Sequence, residues 1–350
     1  MTTPADRPKP TGQQFELRGA NGRMTAVVTE LGAMLRVLEV DGVALIEGFD
    51  AGVYPEYCAG WMLIPWPNRE RDGLWFDGPI ERQLPLTEPD RGNALHGFLF
   101  DLVHTVVRRS DSSITLRALI DSSEAYPFDL RVDTTFTIGS SSGPLSEVGP
   151  GVEASEFAGD SPASGKAQPV LTTTHAITNT GQRDAPVAIG AHPYFRIGDV
   201  PTEQLTVTVR AASRVTVDDR LNPTGTEAVS GTRYDLSHGA VVGELDLDTA
   251  YFDLTCDADG RFRHTIAAPD GRRVELWGDE NYNQAQVFTT TFFPTADGVG
   301  WALTVEPTTA PPDALNTSDS VHWIAPGDTW TSSWGIDFAA TALFAGALAK

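Results

Sequence analysis

Basic residues are scarce in this chain. Its 25 lysines and arginines face 47 aspartates and glutamates, a formal charge of −22, with no Lys/Arg-rich run to break the acidity. Such a field repels a phosphate backbone, which argues against a nucleic-acid partner. Cysteine is nearly absent as well. Cys58 and Cys256 lie far apart, in neither CxxC nor zinc-type spacing, so no disulfide framework or structural metal site is indicated and a reducing compartment fits. Long apolar runs are missing. The amino terminus, MTTPADRPKPTGQQ, lacks a basic stretch leading into an apolar one, and the near-continuous apolar segment from Phe338 to Ala349 is too short to span a bilayer. The expectation is a cytoplasmic protein without a membrane partner. None of the seven histidines forms an HExxH or close HxH motif, so a metal site would need ligands gathered from distant strands.

What is abundant is short-range alternation. Phe15 to Arg18, Ser113 to Arg117, Phe128 to Val132, Gln204 to Val209 and Arg273 to Trp277 each alternate apolar and polar residues, the period of a half-buried strand. Between such runs stand Asp41-Gly42, Asp72-Gly73, Asp259-Gly260 and Asp270-Gly271, which supply the positive-φ residues of hairpin turns. The class is all-β, sandwich or barrel. Since sandwiches often run long as one unit, a single β-sandwich domain over residues 13–338 is expected, with tails at 1–12 and 339–350. Gly139 to Lys166, rich in Ser, Gly, Pro and Glu, reads as a mobile hairpin insertion.

Two lookalike motifs fall in that insertion. Gly139-Ser140-Ser141-Ser142-Gly143 matches the nucleophile pattern GxSxG, but Pro144 denies it the following helix that strains such a serine outward. Gly159 to Lys166 resembles a phosphate loop, yet its glycines are one residue too far apart and Ala167 replaces the hydroxyl that would bind Mg²⁺.

Ionisable groups beside turn or aromatic residues occur in three other places: Asn93-Ala94-Leu95-His96-Gly97, Ala191-His192-Pro193-Tyr194-Phe195, and Trp301 to Pro307 continuing to Pro312-Asp313-Ala314-Leu315-Asn316. In the third, Trp301, Leu303 and Val305 share one face of a strand and Ala302, Thr304 and Glu306 the other, which brings Glu306 out on a small polar face. Pro307 is expected to stop the ladder there. Taken alone, an ordinary solvent-facing glutamate reads the same way. His192 precedes a proline and so takes an extended or turn conformation beside Tyr194 and Phe195; His96 sits in a turn with Gly97.

Pro65-Trp66-Pro67-Asn68-Arg69, Asn93 to Gly97, Gly190 to Phe195, Leu247-Asp248-Thr249-Ala250-Tyr251, and Glu306-Pro307 with Pro312 to Asn316 together resemble the aldose 1-epimerase family in order and spacing. The resemblance implies a galactose mutarotase-like supersandwich of twisted antiparallel sheets with a sugar cleft. It implies Glu306 as general base at the anomeric hydroxyl and His192 as general acid at the ring oxygen. His96 would assist at that oxygen, and Arg69, Asp248, Asn93, Tyr194 and Trp66 would bind substrate. Asp246 and Arg71 compete with Asp248 and Arg69 for their roles. Trp61, Trp66 and Trp75 suit either a stacking face for a pyranose or the core.

Opening a hemiacetal needs a proton removed from one oxygen and delivered to its neighbour, which a Glu and a His in opposite protonation states can do without a cofactor. Relatives acting on hexose 6-phosphates carry an arginine shortly after the His-Gly turn. Here Phe98-Leu99-Phe100-Asp101 follows, which favours a neutral sugar. A non-catalytic sugar-binding module needs no opposed proton donor and acceptor, and a glycoside hydrolase ordinarily needs two carboxylates.

Overall fold

Hairpin turns and alternating strands dominate the computed structural model, which describes residues 10–19, 22–139, 167–295 and 298–340. The alternation of Leu130–Ile138 is realised residue by residue. Leu130, Val132, Thr134, Phe136 and Ile138 point into the core, while Arg131, Asp133, Thr135 and Thr137 line the outer face. On that face cross-strand pairs close the ladder: Arg117 holds Asp133 at 2.6 Å and Thr115 meets Thr135 at 2.9 Å. At Asp41-Gly42 and Asp72-Gly73 both residues have positive φ, as the turn chemistry requires.

The described strands form a nine-stranded sheet, an eight-stranded sheet, a four-stranded amino-terminal sheet and three small two-stranded ones. Strand pairing is antiparallel in each of them. One core cluster joins the three large sheets: Phe15 and Leu38 from the amino-terminal sheet, Val132, Leu276 and Trp334 from the nine-stranded, and Val287, Leu303 and Val305 from the eight-stranded. This is the sheet-on-sheet layering of a sandwich.

Several boundaries differ from the sequence expectation. The strand expected from Phe128 begins at Leu130, and that expected from Gln204 begins at Thr206 after a short 3-10 turn over Thr202–Gln204. Ala339, expected in a tail, pairs with Arg273 at the end of the strand Thr329–Ala339, and the Thr11 carbonyl accepts the Leu31 N–H. Leu130–Ile138 and Gln168–Asn179 pair with each other, so the insertion connects two adjacent strands. Residues 140–166 of that insertion, nearly all of both lookalike motifs, and residues 341–350 lie outside the described residues.

Candidate active site

The strand Gly298–Thr308 runs through the eight-stranded sheet with Leu303 and Val305 in the main core. Glu306 emerges on the opposite face, as the alternation predicts, but it is not solvent-facing: it is 2% exposed. Nor does Pro307 stop the ladder. Pro307 is opposite Ala285 and pairing continues to Thr308, so Glu306 stands within the sheet rather than at a frayed end.

His192 reaches Glu306 because the chain pairs twice with the same strand. Gly190 is opposite Thr308, and Tyr194 and Phe195 are opposite Thr304 and Leu303, which leaves His192-Pro193 as the step between. Backbone bonds from the His192 N–H to the Trp61 carbonyl and from the Gly60 N–H to the His192 carbonyl fix that step. The result is 3.4 Å between His192 Nε2 and Glu306 Oε1.

His96 occupies a left-handed turn, φ 65°, and so does Gly97, φ 68°, where a Cβ would fall 2.2 Å from the Ile64 carbonyl oxygen. His96 and Asn68 grip each other: the His96 N–H donates to the Asn68 carbonyl at 2.9 Å, and the Asn68 N–H donates to His96 Nδ1 at 3.0 Å. With Nδ1 accepting, the neutral ring carries its proton on Nε2. The His96 ring stands edge-on to His192, centroids 5.4 Å apart.

A cleft of about 270 Å³ opens over these groups, with Arg69, Asp248 and Tyr194 also in its wall. Glu88 holds Arg69 in a fork, Oε2 to Nε at 2.8 Å and Oε1 to Nη2 at 2.9 Å, and Asp248 lies 3.6 Å from Nη2. Gln286, directly opposite Glu306 in the ladder, donates to Asp248. Tyr194 donates its hydroxyl to the Tyr57 carbonyl at 3.0 Å, and its ring centroid lies 5.1 Å from that of His192.

The competing assignments resolve by direction. Arg71 turns to the Pro223 carbonyl and Asp218, and Asp246 is exposed, so neither joins the cleft. Two expected substrate contacts are corrected. Trp66 is 1% exposed, packed in the main core edge-on to Phe98, and Trp75 is in the same core. Trp61 lies flat on Phe100. Asn93 is fully buried and bonds the Arg220 carbonyl at 3.0 Å and Glu88 Oε2 at 3.3 Å, which places it behind Glu88 rather than in the cleft. Sequence reasoning missed Glu88, Gln286, Tyr57, Cys58 and Phe288, all of which line the cleft.

Electrostatics in the cleft follow from burial. Desolvation pushes the Glu306 carboxyl well above its ordinary range, Asp248 adds to the rise and Arg69 opposes it. Desolvation pulls His192 down to about 3, with Arg69 acting in the same direction, and holds His96 well below its usual range. Burial thus disfavours charge on either member of the His192–Glu306 pair. The nearest oxygens and nitrogens of His96, His192 and Glu306 lie within 4.8 Å of one another, a spacing compatible with a metal ion. The donor chemistry does not fit one. His96 spends its lone pair on Asn68, which leaves two ligand groups where zinc sites use at least three.

The family model described as aldose 1-epimerase matches residues 14–146 and 165–336. The uncharacterized Escherichia coli protein YihR is 25% identical over 307 residues, 87% of each chain. The GalM/aldose epimerase homologue of C. elegans superposes with a TM-score of 0.73 at 17% identity, covering 94% of this chain and 100% of its own. For galactose 1-epimerase of Lactobacillus acidophilus the TM-score is 0.69 at 16% identity, covering 94% and 99%.

Proposed function

The chain belongs to the aldose 1-epimerase family, and from that premise we propose that it interconverts the α and β anomers of a free aldohexose by opening and reclosing the ring. The observation that carries this reading is the pairing of His192 Nε2 with Glu306 Oε1 at 3.4 Å in the cleft wall. A single proton on that pair can be redistributed between two neighbouring oxygens of one sugar.

In the forward direction the proton that burial favours on Glu306 passes to His192 Nε2 as the sugar binds; the Glu306 carboxylate then takes the proton of the anomeric hydroxyl while the His192 imidazolium gives its own to the ring oxygen. The C1–O5 bond breaks and the C1–O1 bond becomes a carbonyl. Rotation about C1–C2 presents the other face of the aldehyde. O5 then attacks C1, its proton returns to His192, and O1 recovers a proton from Glu306. His96, with its proton on Nε2, donates a hydrogen bond near the ring oxygen, and Arg69 and Asp248 hold sugar hydroxyls. Glu306 Oε2 is buried and has no hydrogen-bond partner among the described residues, as suits a base whose partner arrives with the substrate.

A neutral sugar suits the charge balance of this cleft. Among the described residues its cations are Arg69 and Arg91, both bonded there to Glu88, and Asp248 adds a second carboxylate beside Arg69. Glu306→Gln tests the reading: catalysed mutarotation, followed by polarimetry, should fall by ~10²–10⁴-fold while calorimetric affinity for the same aldose stays within about tenfold. Undiminished catalysis in that variant rejects the assignment.

A further inference from the structure

Among the described residues, the strand that carries Arg69 has a single regular neighbour. Arg69–Glu70 pairs with Ala94–Leu95, and its other edge is met instead by the Pro312 to Asn316 run, to which no chemistry has yet been attached. The Asp313 N–H donates to the Arg69 carbonyl at 2.7 Å, and Asp313 Oδ1 accepts the Arg71 N–H at 3.0 Å, so one residue grips the chain on both sides of Glu70. Glu70 returns the grip. Its wholly buried side chain accepts the Leu315 N–H at Oε1, 3.1 Å away.

The loop is itself anchored. Asp313 sits in the left-handed region, φ 65°, and Asn316 Nδ2 donates both to Asp313 Oδ1 at 2.8 Å and to the Leu74 carbonyl at 2.7 Å. Upstream the loop is continuous with the Glu306 strand, which ends at Thr308. One short segment thus ties the strand bearing the proposed base to the residue proposed to hold the sugar.

We infer that Asp313 and Glu70 are positioning residues for Arg69, fixing its backbone at the cleft wall and with it the guanidinium's place between Glu88 and Asp248. The consequence for sugar turnover rests on the acid/base reading above; the grip on Arg69 does not. Burial, with the Asp313 carboxylate beside it, keeps the Glu70 carboxyl well above its ordinary range. An amide oxygen of the same shape can accept the Leu315 N–H as Glu70 Oε1 does, and a truncated side chain cannot.

The test uses the full chain, D-galactose and D-glucose. Asp313→Ala and Glu70→Ala should each raise KM by about tenfold or more with kcat within about threefold, whereas Glu70→Gln should keep both near wild type. In the Arg69→Ala background neither alanine change should raise KM further, because both act through the same side chain. Independently of any substrate, solvent exchange of the Arg69 Nε–H, read by NMR, should quicken about tenfold in the alanine variants and not in Glu70→Gln. Additive effects on KM, or unchanged Nε–H exchange in a folded Asp313→Ala protein, overturn the inference. If Asp313→Ala does not fold, the Glu70→Ala and Glu70→Gln pair carries both readouts. A wild-type protein inactive on both sugars would count against the acid/base reading and leave the exchange measurement to decide the role of Asp313 and Glu70.

Discussion

Imidazoles are buried in two regions of this molecule, and by desolvation alone they are indistinguishable. His175, in the middle of the nine-stranded sheet, is pulled down to about 3, as is His192 in the cleft. Their neighbours differ. His175 lies in a continuous ladder opposite Thr134 and Ser332, and its Nδ1 meets the Thr134 hydroxyl at 3.1 Å. His192 occupies a break between two short strands, faces a carboxyl and borders open volume. A perturbed pKa therefore marks burial; convergence with a second ionisable group on a cleft marks a candidate for chemistry.

The sharpest way to break that contrast is to make the same change in both places. His192→Gln should lower kcat for mutarotation by ~10²–10⁴-fold, with the thermal midpoint nearly unmoved. His175→Gln should leave kcat within about twofold and lower unfolding stability by roughly 1–3 kcal/mol, the cost of disturbing a buried polar contact. Polarimetry and urea unfolding on the two purified variants suffice. Equal losses of activity would mean that the sheet and the cleft are not separable in this way.

Acid sharpens the contrast through the buried histidines of the sheet. Burial lowers His264 to about 4 and His175 to about 3. Above the ordinary histidine value near pH 6.5 both folded and unfolded forms are neutral and these groups contribute no slope. Below it the unfolded chain binds a proton that the folded chain refuses, so stability is lost as pH falls, by about 1.4 kcal/mol per pH unit per histidine, down to the folded value. Glu70 and Glu306, raised by burial, act with the opposite sign over the same range, because the folded form keeps their protons. The informative quantity is thus a difference. The stability gap between wild type and His264→Gln should close by about 1.4 kcal/mol per unit between pH 6 and pH 4.5, measured by urea unfolding at several pH values. A gap independent of pH would show that His264 is not the buried neutral group its surroundings require.

The two regions also differ in how much of them was legible in the sequence. Strand existence in the sheet could be read from period two, as at Ser113 to Arg117 and Arg273 to Trp277, because one face is buried along the whole length. In the cleft, His96, His192, Glu306, Arg69, Asp248 and Tyr194 could be named because the short motifs that carry them resemble the aldose 1-epimerase family, and the structure brings all six to one cavity. Trp66 and Asn93 could not be placed correctly. A tryptophan in a β-protein looks alike in sequence whether it faces a sugar or the core, and the side of the turn on which Asn93 lies depends on Arg220, far along the chain. Glu88 was missed because it stands in a charged, proline-containing loop that reads as solvent-exposed. Gln286 was missed because its face is set by register against Glu306, a non-local pairing.

Glu88 offers the finest cut between the regions, since each has an arginine forked by a carboxylate. In the cleft, burial alone would raise the Glu88 carboxyl; the hydrogen bonds and charge of Arg69, with Asn93 and Arg91 adding, together outweigh that and hold it below its ordinary range. On the outer face of the nine-stranded sheet Arg117 grips Asp133 at 2.6 and 2.7 Å, a similar fork in a wetter place. If the cleft pair serves to aim Arg69, Glu88→Gln should raise KM for the aldose about tenfold, a loss of roughly 1.4 kcal/mol in binding, and leave kcat within about threefold. Asp133→Asn should leave both constants unchanged and cost no more than about 1 kcal/mol of stability, the usual worth of a solvent-accessible pair. Steady-state polarimetry with the two variants decides it. A Glu88→Gln protein with wild-type KM would mean that Asp248 alone holds the guanidinium, and the fork would then be no more consequential in the cleft than on the sheet.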